Sequence, residues 1–67
     1  MEKLVLFGAG KIATKVYEKY YKRVIAVIDN NVSKIGSTIW DGIPIISLEC
    51  YKEKYSAFPI VITLAIK

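Results

Sequence analysis

Apolar runs at residues 4–7, 24–28 and 60–66 alternate with stretches in which apolar side chains return every third or fourth position. The runs have the length and branched-residue content of strands buried on both faces of a parallel sheet, and the intervals have the period of helices laid on it. The spacing predicts a first strand over 3–7 and a helix over 11–21. In that helix Ile12, Ala13, Val16, Tyr17 and Tyr20 form the apolar stripe, and Lys11, Lys15, Glu18 and Lys22 the opposite side. A second strand over 24–28 ends at Asp29-Asn30-Asn31, three residues that favour turns. From 32 to 41 no period is visible, and Gly36 and Ser37 predict an irregular excursion with a single helical turn at 32–35 and Trp40 across the edge of the core.

Asp41-Gly42 predicts a tight turn and Ile43-Pro44-Ile45-Ile46 a third strand, whose proline suits an edge or a strand start. Ser47 is placed to cap a brief second helix that carries Glu49 and Cys50 in its first turn, runs through Tyr51 to Tyr55, and ends at Ser56-Ala57-Phe58-Pro59. A fourth strand is expected over 60–66. The fold class is therefore α/β: a Rossmann-like half with a four-stranded parallel sheet, for which right-handed crossovers make 3-2-1-4 the natural order. With 67 residues the chain holds one domain, 1–67, about half the length of a complete dinucleotide fold. Its apolar content of 54% excludes wholesale disorder.

The most specific chemistry stands where the first strand meets the first helix. Gly8-Ala9-Gly10-Lys11-Ile12-Ala13 is a Gly-x-Gly-x-x-Ala turn placed directly between a strand and a helix, with Asp29 21 residues beyond Gly8 at the tip of the second strand. Gly8 can adopt backbone angles closed to other residues, Gly10 lets a phosphate approach the main chain, and Ala13 lets the helix pack close to the strand. Unpaired amides at the helix start favour an anion, and a carboxylate at the next strand tip can accept hydrogen bonds from ribose hydroxyls or a base. The candidate ligand-binding set is Gly8, Ala9, Gly10, Lys11 and Ile12 from the turn, with Asp29, Asn30 and Asn31. Lys11 opposes the helix dipole unless a phosphate or solvent relieves it. Against this set stands a plainer reading, in which the glycines only shape a turn, Asp29 only starts a loop, and the asparagines serve the turn itself.

The net charge of +4 comes from ten basic residues, many along one helix and its exit: Lys11, Lys15, Lys19, Lys22 and Arg23. This is the pattern of a solvated face, with general attraction for anions and no nucleic-acid motif. The five tyrosines read as packing residues. One cysteine, Cys50, and no histidine leave no disulfide, no cysteine-rich metal site, no thiolate pair and no imidazole base, so no catalytic residue and no metal site is assigned. No run approaches the ~20 apolar residues that span a bilayer, and the expected compartment is the cytoplasm.

Leu4 to Ala13, Val27-Ile28-Asp29-Asn30-Asn31, Lys34-Ile35-Gly36 and Asp41-Gly42-Ile43-Pro44-Ile45 together resemble the N-terminal Rossmann-like domain of bacterial sugar O- and N-acetyltransferases and related enzymes of polysaccharide and lipopolysaccharide biosynthesis. The resemblance covers nearly the whole chain. It implies a domain that holds the UDP part of a nucleotide-sugar, with Gly8 and Gly10 facing phosphate and Asp29 near the nucleoside, while acetyl transfer belongs to a separate β-helix domain. Other relatives bind a dinucleotide, so NAD is the alternative ligand. A third possibility is an oligomerising module without ligand. The chain departs from the pattern at Thr63-Leu64-Ala65-Ile66-Lys67, where such domains continue into a loop over the ligand. The expectation is a fragment in contact with a missing C-terminal domain, or a homo-oligomer that covers the apolar edge of the fourth strand.

Overall fold

The computed structural model describes residues 2–63, and its centre is the apolar run Leu4–Phe7 (β1). Val5 and Leu6 are fully buried and point to opposite faces of a sheet, so each face needs its own cover. A helix over Lys11–Tyr20 (α1) covers one face: its Ala13, with no exposed surface, packs with Leu6, Val24 and Val27, flanked by Val16, Tyr17 and Tyr20. On the other face Val5, Ala26, Ile28 and Ile46 meet Cys50, Tyr51, Tyr55 and Phe58. The tyrosines of α1 and of the second helix thus work in packing, apart from Tyr21, which is exposed.

Val24–Ile28 (β2) pairs in parallel with β1 on one side, and Ile60–Ile62 (β5) pairs in parallel on the other. Ile43–Ile46 (β4) is parallel to β2, and Thr38–Ile39 (β3) is antiparallel to β4. The order across the sheet is β3-β4-β2-β1-β5. The class is α/β, but the sheet is five-stranded and mixed where four parallel strands were expected. The difference lies in the stretch without a period. Trp40 at φ +55° and Gly42 at φ +90° reverse the chain in three residues, and this sets Thr38 opposite Pro44 and Ile39 opposite Ile43. A two-residue strand is too short to leave an alternation in the sequence. Residues 32–36 form hydrogen-bonded turns in place of the helical turn expected at 32–35, so the excursion is irregular as Gly36 implies.

The hairpin is tied down by its own tip. The Trp40 ring stacks on Tyr17 of α1 with centroids 4.2 Å apart and planes 10° from parallel, and its indole Nε1 donates to Thr14 Oγ1 at 3.4 Å. On the opposite face, Ser47 Oγ accepts from the Cys50 amide at 3.0 Å and starts Leu48–Cys50 (α2), which runs on as a π-helical segment, Tyr51–Tyr55. Tyr51 closes that segment by donating its hydroxyl to the Phe58 carbonyl at 2.6 Å. Strand β5 follows and ends at Ile62, before Thr63; positions 64–66 of the expected fourth strand lie outside the described residues. No helix of the described residues is long and apolar enough to cross a membrane.

Candidate functional site

Because β1 and β2 run in parallel, the turns that leave them open on the same edge of the sheet, and the ladder carries each turn a step further. The Gly8 amide donates to the Ile28 carbonyl at 2.8 Å, and the Asp29 amide donates to the Ile46 carbonyl at 3.1 Å. Gly8 then turns at φ +110°, in the region that favours glycine. Its carbonyl is held from the neighbouring strand: the buried Thr63 hydroxyl lies 2.7 Å from the Gly8 oxygen and 2.9 Å from that of Phe7, and the Thr63 amide donates to Phe7 at 2.9 Å. The turn is fixed by β2 on one side and Thr63 on the other.

Gly10 caps α1 in an extended conformation, φ −95° and ψ −158°, without a side-chain hydrogen bond, and no acid stands in the first helical turn. The leading amides of such a helix have no carbonyl within the helix to bond. A Cβ placed on Gly10 would meet nothing within 4 Å, so the space in front of the main chain there is open. That space belongs to a concavity of about 390 Å³ whose floor is Gly8, Ala9 and Gly10 and whose walls include Lys11, Ile12 and Asp29. Six of the residues singled out by sequence thus line one hollow, which Lys34 and Thr63 complete.

Two ammonium-bearing side chains, Lys11 and Lys34, share the hollow with one carboxylate, so its charge balance suits an anion. Asp29 is fixed by the loop it begins: its Oδ1 accepts from the Asn31 amide at 2.8 Å, a bond that engages one of its two oxygens. Asn31 is engaged in the loop as well, its Oδ1 accepting from the Ser33 amide at 3.1 Å and the Ser33 hydroxyl at 2.7 Å. Neither Asn31 nor Asn30 lines the hollow with the glycine turn; Asn30 lies on a second concavity, of about 340 Å³, that shares Asp29 and extends to Ile35 and Leu48. Lys34 reaches the first hollow because the loop doubles back, its amide donating to the Asn31 carbonyl at 2.9 Å. Nothing in the local sequence marks Lys34 for this place, whereas Thr63 is visible as the lone hydroxyl within the apolar run 60–66.

Comparison with family models, curated proteins and solved structures returns no match. What the site can do follows from its own parts: main-chain amides and two cations for an anion, and a positioned carboxylate for donors beside it. Among the described residues no group of three or more His, Cys, Asp or Glu side chains gathers to hold a metal.

Proposed function

We propose that this chain is a nucleotide-binding domain of the Rossmann-like kind, and that its ligand is a nucleotide-sugar of the UDP class, handled by a sugar-modifying transferase of bacterial surface-polysaccharide or lipopolysaccharide assembly. One observation carries the binding reading: the glycine turn, the start of α1 and Asp29 line the same hollow. The parallel strands β4, β2, β1 and β5, adjacent in that order, support a mononucleotide-binding half, in which ligands sit outside the carboxyl ends of the strands. In this reading the diphosphate rests on Gly8, Gly10 and the leading amides of α1, with Lys11 and Lys34 to either side. Asp29 takes ribose hydroxyls, and the nucleoside extends past it into the second concavity, between Ile35 and Leu48. The sugar and transferase assignments rest on the sequence resemblance.

The hollow, about 390 Å³, is at the lower end of the roughly 300–1,000 Å³ common for ligand sites, a size for the diphosphate and ribose, with the second concavity left for the base. The reading that competes is NAD, favoured by the place of Asp29 at the end of β2, where a carboxylate accepts from an adenosine ribose and repels a 2′-phosphate. Titration calorimetry with UDP-N-acetylglucosamine and UDP, beside a fluorescence titration with NADH, separates them. Saturable heat with the UDP ligands and none with NADH is expected; the reverse makes the ligand a dinucleotide, and silence with all three in folded protein removes the nucleotide reading.

A further inference from the structure

The far end of α1 gathers charge in a way that the nucleotide reading does not use. Ten residues at 1.5 Å each put this end about 15 Å from the glycine turn. There, five consecutive residues, Lys19, Tyr20, Tyr21, Lys22 and Arg23, line a concavity of about 270 Å³ that, among the described residues, contains three cations and no carboxylate. The cations converge on tyrosine rings: Lys19 Nζ and Arg23 Cζ stand 5.5 and 5.7 Å from the centroid of Tyr20, and Lys22 Nζ stands 5.9 Å from that of Tyr21. Arg23 is anchored as well, its Nε donating to the Glu2 carbonyl at 2.8 Å. That bond uses one of five N–H donors and sets the plane of the others, a geometry suited to phosphate oxygens.

Cations at a helix C-terminus are favoured by its dipole, which accounts for one or two positive charges there. It does not account for hollowing the surface between three of them, which brings like charges that repel onto one concavity. An anion seated among them removes that repulsion. The ring faces are occupied by the protein's own cations and by Tyr17, which meets Tyr21 edge-on at 6.3 Å, so stacking of bases is not what this surface favours. We propose that Lys19, Lys22 and Arg23 form a second anion site, distinct from the glycine-turn hollow, for a compact phosphate-bearing group, either a free phosphate anion or the headgroup of an anionic lipid.

The test is an amide NMR titration of the folded chain with inorganic pyrophosphate, paired with sedimentation on phosphatidylglycerol and phosphatidylcholine vesicles. Two separate sets of saturable shifts are expected, one at the glycine turn and one at residues 19–23; the second is lost at least tenfold in affinity in Lys19→Glu/Lys22→Glu and weakened in Arg23→Lys, while Gly10→Val removes the first and leaves the second unchanged. Binding of phosphatidylglycerol but not phosphatidylcholine vesicles, competed by pyrophosphate, makes the source a lipid; pyrophosphate binding without vesicle binding makes it a free anion. The proposal is overturned if residues 19–23 do not respond to pyrophosphate and neither vesicle is bound, or if the shifts spread evenly over all lysines as general screening would spread them. Lys19 and Lys22 are exposed and Arg23 is half-buried at the exit of α1, and retained amide dispersion verifies the fold of both variants.

Discussion

At Gly8 and Gly10 the same residue type does two different things, and substitution separates them. Gly8 sits at φ +110°, so Gly8→Ala should cost about 1–2 kcal/mol in chemical denaturation, whatever binds nearby. Gly10 has an ordinary φ and open space beyond its Cα, so Gly10→Ala should change stability by less than about 0.5 kcal/mol. Gly10→Val should instead fill the approach to the main chain and abolish nucleotide heat in calorimetry while the unfolding midpoint barely moves. Asp29→Asn keeps an oxygen for the Asn31 amide and removes the charge. It should lower nucleotide affinity about tenfold, which corresponds to about 1.4 kcal/mol, with little effect on unfolding. A loss of stability without loss of binding in that variant would assign Asp29 to the turn alone.

At the scale of elements, the most informative contact is between the β3–β4 hairpin and α1. Trp40, the single tryptophan, joins them through the Tyr17 stack. Trp40→Ala should destabilise the chain by about 2–3 kcal/mol, less than for a fully buried ring because Trp40 is half-buried, and urea unfolding followed by circular dichroism measures it. Ser47→Ala removes the cap of α2 and should cost about 1 kcal/mol in the same assay. These elements also mark where the sequence is legible. Strands of four or five apolar residues and the stripe of α1 announce themselves because burial on a regular element imposes a period. The strand Thr38–Ile39 does not, since it is made by two positive-φ residues around Asp41, one of them a tryptophan that carries no turn signal. The same holds at the site: the glycines and Asp29 could be read from motif and spacing, while Lys34 arrives by a loop path that only the fold reveals.

For the whole molecule, charge is the property that links its two ends. The net charge of +4 and the cations at both ends of α1 predict that binding of a UDP ligand weakens as salt rises from 20 to 300 mM, values on either side of a Debye length of about 10 Å. Calorimetry at several salt concentrations reads this directly, and an affinity independent of salt would remove the cations from the mechanism. The arrangement of the sheet has its own consequence through Thr63. Its hydroxyl and amide reach back 55 or 56 positions to shape the glycine turn, so a local-looking motif depends on a residue far along the chain from it. A nascent polypeptide would therefore emerge from the ribosome with its glycine turn synthesised but unbraced, and the turn would set only after β5 and Thr63 had cleared the exit tunnel.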